Sequence, residues 1–250
     1  MSHSYLVIAL GSMIFVMAGV IKGVLGMGLP TFAIGVLSLI IPPAEAAGML
    51  VIPSLLTNVW QLFNGPHFGN LTKRFSLLLI AVCVGTPLGV MFMTSGATHL
   101  ANIVLGCVLA FYGVFGLSNV KFVVRPTSER LASPVVGLTT GVIMGATGIS
   151  VMPVGPYFAA LGLEKDDLIQ ALGLTFTVSS LALAVGLIFA GQFQLNVATN
   201  SMIALIPAFA GMYLGQSIRG MISQQVFKKC FLSGLVVLGS YMAINTILQH

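Results

Sequence analysis

Apolar residues run along this chain in long uninterrupted blocks and do not alternate with polar ones. Bounded by Gly, Pro or charge, the blocks occupy roughly 5–21, 24–41, 46–63, 75–93, 100–118, 132–147, 149–163, 168–190, 197–217 and 230–248. A helix rising 1.5 Å per residue needs about 20 residues to cross a hydrocarbon layer ~30 Å thick. Most blocks reach that length with little tilt. The second and seventh are short and broken by Gly and Pro. Continuous blocks without a period of two argue against β-barrel strands. The pattern therefore predicts an all-α polytopic membrane protein. The first block follows Met1-Ser2-His3-Ser4, with no basic flank and no small-residue cleavage site, and is expected to be a retained helix.

Composition agrees with this reading. Apolar residues make up 57% and charged residues 6% of the 250, where a soluble domain carries about 25% charge. Ten Lys and Arg with five Asp and Glu are too few to keep a soluble particle dispersed. The net charge of +5 is no sign of nucleic-acid binding, because the cations form no basic face interleaved with aromatics. Their placement predicts topology instead. Lys22 follows block one, and Lys73 with Arg74 follow block three. Lys121, Arg125 and Arg130 follow block five, Lys165 follows block seven, and Arg219, Lys228 and Lys229 lie between blocks nine and ten. All fall in odd-numbered connections, which the positive-inside rule makes cytoplasmic, with both termini outside. Cys83, Cys107 and Cys230 lie in apolar runs without metal-ligand spacing and are expected to be small buried thiols.

The chain also repeats itself. Gly19-Val20-Ile21-Lys22-Gly23 recurs as Gly141-Val142-Ile143-Met144-Gly145, Gly26 matches Gly148 and, with one residue's slip, Pro30 matches Pro153. Glu45, Leu50 and Thr57 match Asp167, Leu172 and Ser179, and Gly85 to Gly89 resembles Gly211 to Gly215. Each copy holds five apolar segments, an odd number, so the second must enter the membrane upside down. The expected organisation is a first repeat over 1–120, a cytoplasmic linker over 121–130 and an inverted repeat over 131–250. Inverted repeats with interrupted helices are typical of secondary transporters, whose sites lie near the midplane.

Candidate chemistry follows from the two interruptions. The stretches 22–30 and 145–153 each place closely spaced glycines ahead of a proline, where one segment ends and a short one begins. Irregular backbone at that depth survives only when buried in protein or lining a wet cavity. Glycine permits positive φ, and proline suits the first turn of the next helix, so such a turn can aim N–H groups and a positive helix end at an anion. The expected substrate contacts there are Lys22, Gly23, Gly26, Gly28 and Pro30, with Thr147, Gly148, Ser150 and Pro153 in the second copy. If the first two segments form a re-entrant hairpin, Lys22 lies deep and supplies positive charge from one side only, since its counterpart is Met144. Asn58, Trp60 and Gln61 of the third segment, and Thr175 and Ser179 of the eighth, add neutral donors. Close packing of small residues and interhelical hydrogen bonding are the competing roles for these glycines and polar side chains.

Enzymatic chemistry finds no support. His3, His67, His99 and His250 have no partners at useful spacing, and hydrolase, metalloprotease and nucleotide-loop motifs are missing from the sequence. No cofactor, metal or nucleic acid is expected. The expected partners are a small anionic substrate and the lipid bilayer, with self-association into a homo-oligomer left open. A glycine-lined anion channel is the alternative to a carrier.

Gly19 to Pro30, Pro42-Pro43-Ala44-Glu45-Ala46-Ala47-Gly48, Thr57 to Gln61 and Gly141 to Pro153 together resemble the sulfite exporter TauE/SafE family, also called the toluene sulfonate uptake permease family. With the duplication, the resemblance spans nearly the whole chain. The family's glycine triplet stands here as Gly26-Met27-Gly28-Leu29 and Gly148-Ile149-Ser150. The resemblance implies a polytopic carrier for sulfite, sulfonates or related small anions in a bacterial cytoplasmic membrane, working as an exporter or as an uptake permease for another small organic acid.

Overall fold

The computed structural model describes residues 2–118, 120 and 123–248. Met1, Lys121 and His250, used above, lie outside the described residues, and Cys83, Cys107 and Cys230, expected to be buried, are exposed. The chain forms α1 (Ser2–Leu25), α2 (Leu29–Leu37), α3 (Pro43–Phe63), α4 (Phe68–Arg74), α5 (Ser76–Met93) and α6 (Thr98–Leu117). These are followed by α7 (Pro126–Thr147), α8 (Val154–Ala160), α9 (Lys165–Phe189), α10 (Leu195–Ile218) and α11 (Gln224–Leu248). Ten of these helices correspond to the ten apolar blocks. Six of them, α3, α5, α6, α9, α10 and α11, are long and apolar enough to cross a membrane.

The two short blocks become short helices. The nine residues of α2 and seven of α8 extend about 14 and 10 Å, so neither crosses a bilayer. Each follows a helix stopped by glycine. Gly26 has φ +75° and Gly148 φ +72°, conformations that favour glycine over any other residue. Each bonds its N–H back to a carbonyl one turn earlier, Lys22 O for Gly26 and Met144 O for Gly148, both at 2.7 Å. This is the left-handed C-cap that ends many helices.

Glycine seams hold the bundle together. Gly19 of α1 lies on Ala208 and Met212 of α10, and Gly23 lies on Met212 and Gln216, so the two helices run parallel. Gly141 of α7 lies on Val82 and Thr86 of α5, and Gly145 on Thr86 and Val90, again in parallel. The helix that precedes each short one thus packs in parallel on a helix distant in sequence, α1 on α10 and α7 on α5. The third pairing, α6 with α11, is antiparallel, with Gly106 on Gly239 and Gly113 on Leu232. At these seams a Cβ would overlap the facing carbonyl oxygen, and the two parallel ones carry GxxxG spacings on both helices. At the centre α3 and α9 cross antiparallel, flanked by α10 and α5.

One element was not anticipated. The seven residues of α4 bury only Leu71 and fall between apolar blocks, leaving no periodic signal to read. Arg74 at its end makes a two-pronged pair with Glu129 of α7, at 2.6 and 2.8 Å, and that carboxylate holds the guanidinium above its ordinary value. The Arg74–Glu129 pair, together with His67–Asp167 at 2.7 Å and the Val124 N–H to Ala160 O bond at 3.0 Å, gathers the starts of α4, α7 and α9 at one end. Most of the cations lie there too. By helix direction, α1 begins and α11 ends at the opposite end.

The seams make a direct prediction. Gly145→Leu and Gly211→Leu must push a side chain into backbone and should each destabilise the fold by about 2–3 kcal/mol. Gly234→Leu, whose Cβ meets nothing within 4 Å, should stay within about 0.5 kcal/mol. Thermal unfolding of the detergent-solubilised protein measures both.

Candidate functional site

A cavity of about 220 Å³ opens among α1, α3, α9 and α10 at the basic end. Its innermost charged group is Lys22, one turn before the end of α1 and only 4% exposed. The Lys22 ammonium donates to Thr57 Oγ1 at 3.0 Å and to Asn58 Oδ1. Among the described residues no carboxylate lies within ion-pair distance of it. An ammonium has three N–H donors, so one remains for the cavity. A buried charge with only neutral partners is penalised by several kcal/mol, and an anion in the cavity would offset that penalty.

The acceptors beneath Lys22 are themselves fixed. Pro53 interrupts the hydrogen-bond ladder of α3, and the Thr57 hydroxyl donates to its carbonyl at 2.6 Å, which leaves the oxygen lone pairs for Lys22. Asn58 Nδ2 reaches across to Ser180 Oγ of α9 at 3.4 Å. Farther along the same face, Gln61 Nε2 donates to Ile169 O at 2.9 Å. Three polar residues of α3 are therefore oriented by contacts they make elsewhere, as a preorganised site requires.

Asp166 and Gln170 of α9 and Gln216 and Arg219 of α10 complete the polar wall. With Lys22 and Arg219 against Asp166, the lining carries one net positive charge. Gln170 is a structural member. Its amide donates to Leu62 O at 2.9 Å and Gly65 O at 2.7 Å and accepts from His67 N–H at 2.9 Å. It thereby satisfies carbonyls that the end of α3 would otherwise leave open.

The residues expected from sequence separate into three groups. Lys22, Gly23, Gly26, Trp60 and Gln61 line the cavity, and Asn58 lies one layer beneath through Lys22. Trp60 is 55% exposed and stands at the rim. Pro30 and Gly148 line a second, much smaller chamber on the far side of Asn58. Gly28, Thr147, Ser150, Pro153, Thr175 and Ser179 line neither. Thr147, Thr175 and Ser179 each donate to a carbonyl one turn back, at 2.6, 2.9 and 2.8 Å. The expectation of free glycine N–H groups needs correcting. The amides of Gly26 and Gly148 close their own helices, and Gly23 is also a seam residue against α10.

Asn64, Asp166, Gln170, Gln216 and Arg219 were not anticipated as cavity residues. Their signal was a spacing of three to four, which puts Asp166 with Gln170, and Met212 with Gln216 and Arg219, on one helix face. Gln170→Leu should leave two carbonyls and one N–H unpaired and destabilise the protein by about 3 kcal/mol, measured as a fall in Tm with helix content retained below it.

No curated protein and no solved structure matched this chain. The family model described as sulfite exporter TauE/SafE matches residues 12–242. With that match spanning nearly all of its helices, the chain belongs to the sulfite exporter TauE/SafE family.

Proposed function

We propose that the protein is a secondary carrier that exports sulfite or a small organosulfonate by alternating access, with the cavity open to the cytoplasm. The observation that carries this reading is the Lys22 ammonium at the cavity floor, held by neutral oxygens and, among the described residues, with no carboxylate at ion-pair distance. A small oxyanion presents several acceptor oxygens, and the remaining Lys22 N–H, Gln61, Asn64, Gln216 and Arg219 are donors around the space it would occupy. Family membership supports the sulfur chemistry.

The positive-inside rule supports the orientation, since the described cations gather at the cavity's end. On this reading residues 1–120 and 131–250 are inverted repeats joined by a cytoplasmic linker at 121–130. Beyond Asn58 the path narrows to a chamber of about 10 Å³, which favours a carrier over a channel. A negative interior drives anion efflux by roughly 2.3 kcal/mol per charge per 100 mV.

Vesicles containing the purified protein and loaded with sulfite test the reading. Lys22→Met should lower efflux at least about tenfold, the effect of losing a charge-assisted hydrogen bond. Gly26→Leu should also block it, because a Cβ there meets open cavity, with about 1–2 kcal/mol of backbone strain from the positive φ. Wild-type efflux from both variants, or efflux of a cation or neutral solute in place of sulfite, would refute the reading. Single-cysteine labelling in cells should find residue 70 on the cytoplasmic side and residue 195 on the opposite one. Finding both on one face refutes the inverted arrangement.

A further inference from the structure

The small chamber occupies, in the second copy, the place that the open cavity occupies in the first. Its lining includes Met144, Gly148 and Leu183, the counterparts of Lys22, Gly26 and Gln61 in the repeat register. From the other copy it takes Ala47, the counterpart of Ile169 in the cavity wall. The two spaces lie on opposite sides of the Lys22–Asn58–Ser180 layer, and their volumes are about 220 and about 10 Å³. The smaller holds about one water.

Its chemistry differs from that of the cavity. Where one side has Lys22 and Gln61, the other has Met and Leu, and the polar side chains left in the lining are Ser54 and Ser180. Ser54 is 3% exposed, and its Oγ has no hydrogen-bond partner. Thr31, Ser38 and Thr140 are likewise buried without a partner, but of these hydroxyls it is Ser54 that lines the chamber. Ser180 Oγ accepts from Asn58 Nδ2, and its own proton meets no acceptor among the described residues. Two buried O–H donors therefore line one small space. Its lining holds no carboxylate and no cation. A buried polar group left unmatched calls for a ligand or a reason.

We propose that Ser54 and Ser180 form a second anion subsite, which holds the transported oxyanion after it has passed the Lys22–Asn58 layer and the chamber has widened in the outward-facing state of the carrier. This rests on the carrier reading above and adds the residues that act on the far side. Asn58 is the partition between the two subsites, its Oδ1 on Lys22 and its Nδ2 on Ser180. An anion that draws the Lys22 ammonium away from Oδ1 loosens one side of that partition, and one that takes the Ser180 proton engages the other. Without a fixed charge, the far subsite binds the anion more weakly than the near one, so half-saturation by sulfite is expected at a higher concentration from the far face.

Sulfite transport in sealed right-side-out and inside-out membrane vesicles, with the substrate varied on one face at a time, tests the subsite. Ser54→Ala and Ser180→Ala should raise the half-saturating sulfite concentration at the face opposite the basic end about tenfold. The value at the basic face should stay within about twofold. Ser179→Ala, whose hydroxyl is engaged with Thr175 O, should change neither. Ser54→Ala removes an unpartnered hydroxyl, so its Tm should not fall. Ser54→Cys, which keeps the size and weakens the donor, should shift the same face. No change at either face, an equal change at both, or a change confined to the basic face would overturn the subsite while leaving the carrier standing. Wild-type vesicles that move no sulfite from either face would overturn the carrier reading, and the subsite with it.

Discussion

An ammonium group buried in a membrane protein without a carboxylate beside it is the constraint on which this structure turns. Lys22 could have reached the interface had α1 continued as an ordinary span. Gly26 ends the helix four residues later in a left-handed cap, the chain doubles back through Gly28 and Pro30, and the lysine is left inside. Thr57 and Asn58 meet it with neutral oxygens, which orient the charge without cancelling it. A carboxylate in their place would neutralise the site and remove the basis of the anion binding proposed above.

The rest of the bundle keeps that geometry rigid while leaving something to move. Glycine seams lock α1 to α10 and α7 to α5, so each of these pairs joins the N-terminal and C-terminal halves of the chain. Between these pairs, α3 and α9 meet through the bonds of Asn58 to Ser180, Gln61 to Ile169 and Gln170 to the end of α3, and through Gly173 set against the backbone of Gln61 and Leu62. On the carrier reading proposed above, the locked pairs are the units that would move against each other.

Much of this was legible in the sequence, for identifiable reasons. Ten helices could be placed because apolar blocks of membrane length cannot be mistaken for strands. Lys22, Asn58 and Gln61 stood out because polar residues in such blocks have few alternatives to a partner or a cavity. The seven-residue α4 escaped because a single buried leucine makes no pattern. Gln170 and Arg219 escaped because polar residues near helix ends read equally well as caps or topology signals. Thr175 and Ser179 were expected in the site and do not line the cavity, since a hydroxyl can bond its own helix and sequence does not say which it will choose. The glycine N–H groups were expected to be free because a C-capping glycine and an anion-binding glycine look alike until the helix ends are seen.

Thermal unfolding of the purified protein with and without sulfite bears most directly on the counter-ion role of a bound anion at Lys22. At about 100 times its dissociation constant a ligand that binds only the folded state stabilises it by about 2.7 kcal/mol. The wild type should show a clear rise in Tm with sulfite, and Lys22→Met should show none while remaining folded. An equal rise in both, or a wild type stabilised by cations or neutral solutes but not by sulfite, would contradict it.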